Sequence, residues 1–206
     1  MIRTKKIICV LAAVVLLAMS AALAQFVHHH YFHRYDHIIV RISSSYGLDP
    51  ALIHAIIYEE SRFNPAARSR AGAVGLMQVT QATLREWKRV TGLRHLAEVF
   101  KAGRGRTEEE LLLEPEVNIY LGCWYIDRLM TKYGHLAEPL PVILASYNAG
   151  PSHATRWQAS IANQHTPAQY IEQIDFPETR SYVLKVMQRY RTYKRHLLMP
   201  YGWTSE

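Results

Sequence analysis

The sequence predicts a mainly α-helical protein, and three observations lead to that prediction. Apolar residues recur at spacings of three and four along most of the chain after residue 48, and several of these stretches have Pro at their first helical position. No run alternates apolar and polar residues as a half-buried strand does. The 206 residues are 49% hydrophobic and 20% charged, a globular composition, so one compact helical domain is expected after an N-terminal signal or anchor segment.

Residues 1–24 have the order of a secretory signal peptide. Three basic residues precede an uncharged run over residues 7–24, and the run closes with Ala22-Leu23-Ala24 before Gln25, which predicts cleavage after Ala24. A run of this length also crosses a hydrocarbon core of about 30 Å, so an uncleaved anchor, with membrane association through residues 7–24, is the alternative. Both interpretations place the rest of the chain in the periplasm or cell envelope.

Residues 25–41 are predicted to form a solvated His-rich segment that leads into the domain. Five histidines lie in it: His28, His29, His30, His33 and His37. Their spacing matches no metal-site pattern and no cysteine accompanies them, so no metal is predicted. The chain has two cysteines, Cys9 and Cys123, and Cys9 falls within the signal, which excludes a disulfide framework.

The domain is assigned to residues 42–206, and its first helix is predicted over Pro50–Ser61. Asp49 is an N-cap residue followed by Pro at the first helical position, and the apolar residues after it have helical spacing. Asn64-Pro65 is expected to break this helix, and the small residues over 69–75 indicate a loop.

Three further helices are predicted in the middle of the domain. Thr80 caps a helix that runs through Trp87, and residues 107–110, Thr-Glu-Glu-Glu, have the order of a capping box ahead of three leucines. A long helix over Val117–Tyr133 follows from its apolar spacing, and Gly134 is expected to end it.

Proline marks the starts of the last helices. Pro141 is predicted to open a short helix over Val142–Tyr147, which stops at Asn148-Ala149-Gly150-Pro151. Thr166-Pro167 and Phe176-Pro177 each place Pro at a helix start, and the final helix has an apolar face.

One carboxylate lies on the apolar face of the first helix. Three isoleucines fall within about 60° of Glu60 around the helix axis: Ile53, Ile56 and Ile57. Glu59 lies about 100° away, at the edge of this face. An ionised carboxylate is costly there, so the pKa of Glu60 is expected to rise, as a general acid requires. The spacing equally allows a structural glutamate at the helix end, paired with Arg62 or another base.

Four short motifs occur in order along the domain. They are Glu60-Ser61 with Phe63-Asn64-Pro65, Gly75-Leu76-Met77-Gln78, Ala145-Ser146-Tyr147-Asn148-Ala149-Gly150 and Glu178-Thr179-Arg180-Ser181-Tyr182-Val183. Together they resemble the catalytic domain of the soluble lytic murein transglycosylases, over about residues 42–195. Ser146 stands where that family often has Ala, a small-for-small change that leaves the resemblance intact.

The resemblance implies a lysozyme-like helical fold with a groove for a glycan strand. It implies that Glu60 is the single catalytic acid and base. It also implies six positions that line the groove and hold the sugar or the glutamate: Ser61, Met77, Gln78, Tyr147, Asn148 and Tyr182. Core packing is the alternative role for Met77, a helix C-cap for Asn148, and a ring contact for Tyr182.

The chemistry implied by the resemblance is a lyase reaction on peptidoglycan. The β-1,4 bond between N-acetylmuramic acid (MurNAc) and N-acetylglucosamine (GlcNAc) would be cleaved without water, leaving 1,6-anhydromuramoyl ends. Neither a metal nor an organic cofactor is expected. The expected partners are peptidoglycan glycan strands, with no nucleic acid, and a monomer is expected.

Two other functions remain open at this point. A hydrolytic muramidase would cleave the same bond with water, and it would need a second acid, such as Glu59, Asp175 or Glu178, to face the groove. A noncatalytic wall-binding module or secretion-system accessory would need a groove but no buried acid.

Overall fold

The computed structural model describes residues 2–91, 107–161 and 166–196, and it is mainly helical, as the sequence predicts. Ten helices are found in this part of the chain: α1 (Ile2–His33), α2 (Asp36–Ser45), α3 (Pro50–Ser61), α4 (Gln81–Thr91), α5 (Glu108–Leu113), α6 (Pro115–Tyr133), α7 (Pro139–Ala149), α8 (Pro151–Gln158), α9 (Pro167–Gln173) and α10 (Pro177–His196). Extended pairing within these ranges is limited to isolated antiparallel bridges, from Arg68 to Val74 and from Val74 to Val79.

The chain divides into two compact units, Met1–Asp36 and His37–Glu206. The first unit is dominated by α1, and the large apolar side chains described on it, such as Leu16, Leu17 and Phe26, are exposed. Residues 25–41, for which the sequence analysis predicts a solvated His-rich segment, are helical over most of their length: α1 continues to His33 and α2 begins at Asp36. No Gly or Pro lies between residues 2 and 45 to interrupt a helix. The side chains of His28, His29 and His30 lie outside the described part of the structure.

None of the helices in the described ranges combines the length and the apolarity needed to cross a membrane.

Helix α3 is the central helix of the second unit and confirms the prediction of Pro50–Ser61. The Asp49 side chain accepts a hydrogen bond from the Ala51 N–H at 2.9 Å, and Pro50 occupies the first helical position. Every residue from Ala51 to Ile57 is buried. Helix α10 packs against α3 and α7, and α7 also packs against α6 and α8, so these helices form a bundle into which α10 joins the buried α3.

The end of α3 determines where Glu60 lies. Arg62 and Phe63 both have left-handed backbones, with φ of 54° and 63°, and the Arg62 N–H donates to the Tyr58 carbonyl at 3.0 Å. Two such non-glycine residues cost about 1–2 kcal/mol each, and complete burial of the Phe63 ring offsets a comparable amount. The helix therefore ends before the expected breaker Asn64-Pro65, and Glu60 falls in its last turn.

Several predicted helix starts are confirmed by their caps. Thr80 accepts from the Thr83 N–H at 3.2 Å just ahead of α4. Thr107 and Glu110 form the reciprocal capping box that begins α5. Helix α6 ends at Tyr133 as predicted, although it begins at Pro115, two residues earlier.

The helices of the proline-rich segments differ from the sequence analysis in two ways. Helix α7 begins at Pro139 rather than Val142, because its first-turn prolines lack N–H groups that would have no helical partner in any case. Helix α8, which begins at Pro151, was not predicted. Gly150 has a φ of 93° and forms both the C-cap of α7 and the N-cap of α8, so the predicted stop signal also starts a helix.

Candidate active site

Glu60 lies in the last turn of α3, partly exposed at the edge of the buried core. Burial raises the pKa of its carboxyl to about 7, and the negative charges of Glu59 and Glu178 act in the same direction. The Tyr182 hydroxyl opposes this rise by favouring the carboxylate, although its geometry falls short of a full hydrogen bond. Among the described residues, no basic side chain pairs with Glu60. A carboxyl in this setting holds a proton near neutral pH.

Glu59, the preceding residue, has the opposite environment. Its side chain is 5% exposed, and its Oε1 accepts a hydrogen bond of 2.8 Å from Nε of Arg189 on α10, with Nη2 of the same guanidinium also 2.8 Å away. Arg62 Nη2 lies 3.9 Å from its other oxygen. The structural glutamate paired with Arg62 is therefore Glu59, not Glu60.

The Tyr58 ring strengthens this ion pair from one side. The Arg189 guanidinium carbon lies 3.4 Å from the Tyr58 ring centroid, and that of Arg62 lies 4.2 Å from it. Two cations thus stack on one aromatic ring while both face Glu59. The cluster joins the end of α3, which carries Glu60, to α10, which carries Tyr182.

The loop containing Gly75-Leu76-Met77-Gln78 is held against the end of α3 by polar side chains. Ser61 donates from Oγ to the Leu76 carbonyl at 2.8 Å, and Tyr147 donates from its hydroxyl to the Met77 carbonyl at 2.7 Å. Gln78 has a φ of 48°, and its side chain donates to the Gly75 carbonyl at 2.9 Å. These hydroxyl and amide groups therefore fix the backbone of the loop.

Asn118 is a fully buried residue of α6 that the sequence analysis missed. Its oxygen accepts from the Met77 N–H at 2.6 Å, and its nitrogen donates to the carbonyls of Val74 at 2.8 Å and Leu112 at 2.7 Å. Gly75 lets this side chain approach, because a Cβ there would collide with it. The signal that singled out Glu60, a polar residue in register with an apolar face, was also present for Asn118, three residues before Leu121.

Met77 is fully buried and rests against Gly122 of α6, where a Cβ would overlap its sulfur. In this conformation its side chain packs between the loop and α6.

Tyr147 and Tyr182 lie close to Glu60. Burial raises both phenol pKa values well above the usual range, and the charge of Glu60 adds to each.

Asn148 is exposed at the end of α7, and its Oδ1 accepts a hydrogen bond of 2.7 Å from Thr179 Oγ1 on α10. The predicted site residues from all four motifs therefore surround the end of α3. Sugar contact by Ser61, Met77, Gln78, Tyr147, Asn148 or Tyr182 stays a prediction.

The three candidates for a second acid differ in their partners. Glu59 is held by Arg189, and Asp175 accepts from Arg156 Nη2 with both oxygens at 2.9 Å and from the Trp157 ring nitrogen at 2.8 Å. Glu178 is exposed, forms no ion pair within the described ranges, and is close enough for its charge to raise the pKa of Glu60.

Comparison with known proteins gives consistent matches. The family model described as Transglycosylase SLT domain matches residues 37–169. The soluble lytic murein transglycosylase of Salmonella typhimurium is 30% identical over 164 residues, which are 80% of this chain and 23% of that protein. Membrane-bound lytic murein transglycosylase C of Edwardsiella ictaluri is 32% identical over 180 residues, covering 79% of this chain and 47% of that protein.

A solved structure has the same fold. The X-ray structure of an inactive variant of the lytic transglycosylase Slt from Pseudomonas aeruginosa, with one glutamate replaced by glutamine, matches with a TM-score of 0.68 and 30% identity. The match covers 82% of this chain and 25% of the other. This chain therefore spans less than half the length of each of these proteins.

Proposed function

Since the chain belongs to the Transglycosylase SLT domain family, we propose that it is a peptidoglycan lytic transglycosylase. It cleaves the β-1,4 bond between MurNAc and GlcNAc and leaves a 1,6-anhydromuramoyl end. The observation that carries this proposal is the setting of Glu60, whose pKa of about 7 keeps a proton available for transfer. The inactive relative with one glutamate replaced by glutamine is consistent with a single essential acid.

Glu60 acts first as an acid and then as a base. Its proton passes to the glycosidic oxygen, which leaves with GlcNAc, while the acetamido oxygen of MurNAc shields the anomeric carbon. The Glu60 carboxylate then takes the proton of the MurNAc 6-hydroxyl, and that oxygen bonds to the anomeric carbon. The acid is regenerated, no water is consumed, and neither a metal nor a cofactor takes part.

The remaining site residues have two kinds of role in this proposal. Ser61, Gln78 and Tyr147 form hydrogen bonds with the loop backbone, so they shape the groove, and Met77 supports the loop. Asn148 and Tyr182 face the glycan strand and the acid.

The product distinguishes this function from its alternatives. Purified peptidoglycan is digested in water enriched in oxygen-18, and the released muropeptides are weighed by mass spectrometry. Anhydro products, lighter than reducing ends by one water and free of label, are expected, because the 6-hydroxyl is tethered to the reacting sugar. Labelled reducing MurNAc ends would identify a muramidase, and intact glycan would identify a wall-binding module.

One observation identifies the second acid that a muramidase would use. Glu178 is exposed, forms no ion pair in the described part of the chain, and influences Glu60, so it is the candidate that could position water. The substitution Glu178→Gln separates the two functions. A lyase keeps its anhydro product, whereas a muramidase loses hydrolysis; Asp175→Asn is the matched control, because Asp175 is already held by Arg156.

Export to the cell envelope is the third part of this proposal. The order of residues 1–24 supports cleavage before Gln25, with an uncleaved anchor as the alternative. N-terminal sequencing of protein released by osmotic shock is expected to start at Gln25. An intact Met1 in the membrane fraction indicates the anchor, and recovery from the cytoplasm contradicts the proposed function.

The proposed partners are peptidoglycan strands, and the protein is proposed to act as a monomer.

A further inference from the structure

Asn148 is exposed, yet its side chain is fixed in one orientation. Helix α7 ends at the next residue, and Gly150 turns the chain away, so the amide stands at a helix end. Thr179 donates its hydroxyl to Asn148 Oδ1 at 2.7 Å. An exposed asparagine ordinarily presents either its oxygen or its nitrogen, but here the oxygen is occupied and Nδ2 points away from Thr179.

Thr179 is rigidly placed. It is 3% exposed and lies in the first turn of α10, directly after Glu178 and three residues before Tyr182. Both of these neighbours affect the pKa of Glu60. Asn148 follows Tyr147, whose hydroxyl holds the Met77 carbonyl. The Thr179–Asn148 hydrogen bond thus joins the two segments that carry the later motifs beside the acid.

The Asn148 nitrogen has no acceptor within the described residues. An amide whose oxygen is bound and whose NH₂ faces solvent can donate two hydrogen bonds to an incoming ligand. Sugars of the glycan strand present hydroxyl and acetamido oxygens as acceptors. We propose that Thr179 is a positioning residue that presents the Asn148 NH₂ as a hydrogen-bond donor to an acceptor oxygen of the glycan strand, an inference that rests on the proposed function.

The substitution Asn148→Asp separates this role from a purely structural one. A carboxylate still accepts from Thr179, so the hydrogen bond between α7 and α10 is kept, but its outward oxygen cannot donate. If the bond serves only to join the helices, Asn148→Asp binds glycan normally. If donor presentation matters, binding weakens although the bond survives, and the loss persists at high salt, where charge repulsion is screened.

Binding is measured by co-sedimentation of the full-length chain with purified peptidoglycan, with Glu60→Gln as the parent so that no cleavage occurs. We expect Thr179→Val to weaken binding about threefold to tenfold, the effect of one hydrogen bond, and Thr179→Ser to restore it. Asn148→Asp weakens it at least as much. The double variant Thr179→Val/Asn148→Asp is expected to bind no worse than Asn148→Asp alone, because Thr179 acts through Asn148. Additive losses, or normal binding by Thr179→Val, would overturn the inference.

A second measurement needs no substrate and therefore separates this inference from the proposed function. The side-chain ¹⁵NH₂ signal of Asn148, identified by its loss in Asn148→Asp, reports the order of the amide on the picosecond to nanosecond timescale. It is expected to be rigid in the parent and in Thr179→Ser but mobile in Thr179→Val. A rigid amide in Thr179→Val contradicts the inference. Failure of the parent to bind peptidoglycan contradicts the proposed function.

Discussion

Glu59 and Glu60 are adjacent carboxylates in the last turn of one helix, and their surroundings are opposite. Glu59 is almost completely buried, and Arg189 and Arg62 balance its charge. Glu60 is only partly exposed, but no basic side chain in the described ranges balances it, and burial raises its pKa to about 7. Because successive helix residues differ by about 100° in direction, Glu59 faces the two arginines and Glu60 faces Tyr182.

The difference shows how one helix end supplies both stability and reactivity. The ion pair of Glu59 with Arg189 joins α3 to α10 and thereby fixes the distance between Glu60 and Tyr182. Glu60 contributes no such pair, and its burial costs stability whenever it is ionised. Substitutions at the two positions should therefore separate stability from activity.

Glu60→Gln is expected to produce the largest effect of the set. The amide keeps the volume of the side chain but cannot donate a proton to the glycosidic oxygen, so peptidoglycan cleavage should fall by about 10²- to 10⁴-fold. Release of soluble muropeptides is the measurement, with Glu116→Gln as a surface control. The assignment of Glu60 as the acid fails if this variant keeps activity above a few per cent.

Glu59→Gln is expected to destabilise the fold while cleavage stays within a few-fold of the original. It leaves Arg189, partly buried, without its carboxylate, and we expect a loss of about 2 to 4 kcal/mol in the free energy of unfolding. Urea denaturation measures it. The matched control is Glu116→Gln, which breaks the pair with Arg41, where both side chains are 58% exposed, and should cost less than about 1 kcal/mol. Equal losses in the free energy of unfolding for Glu59→Gln and Glu116→Gln would contradict the difference expected between a buried and an exposed ion pair.

The pH dependence of stability tests the raised pKa of Glu60. Its pKa in the folded protein, about 7, exceeds the ordinary value of 4.5, so between these pH values the folded state binds more protons than the unfolded state. The free energy of unfolding should fall as pH rises through this window. Glu60→Gln removes the effect, so the variant should exceed the original protein by about 1 to 3 kcal/mol above pH 7 and match it below pH 4.5. A constant difference at all pH values would refute the raised pKa.

Tyr182→Phe is expected to have the smallest effect. The Tyr182 hydroxyl lowers the pKa of Glu60 without forming a full hydrogen bond. Its removal should therefore change the free energy of unfolding by only about 0.5 kcal/mol. The pKa of Glu60 rises, and the alkaline limb of the pH–rate profile moves to higher pH. Glu59→Gln should move the same limb to lower pH, because it removes a negative charge that favours the protonated acid. A shift of the alkaline limb in the same direction in both variants would be inconsistent with these roles.

Sequence reasoning predicted the helical class, the bounds of α3 and several capped helix starts, because these depend on contacts between residues a few positions apart. Asp49 with Pro50 and Thr107 with Glu110 are local signals of this kind. The four motifs predicted which residues meet around Glu60 through a family resemblance rather than through the helical period. The period alone left open whether Glu60 was an acid or a paired structural residue.

Tertiary structure decided the role of Glu60, which the helical spacing of the sequence left open. Arg189 pairs with Glu59 across 130 positions of the chain, and Asn118 reaches Met77 across 41. Thr179 fixes Asn148 across 31. An isolated helix sequence indicates which residues share a face, but an ion pair or a buried hydrogen bond depends on which distant helix packs against that face. The sequence by itself therefore determined that a carboxylate would be buried at the end of α3, and only the packing of α10 decided that Glu59 receives the arginine and Glu60 keeps the proton.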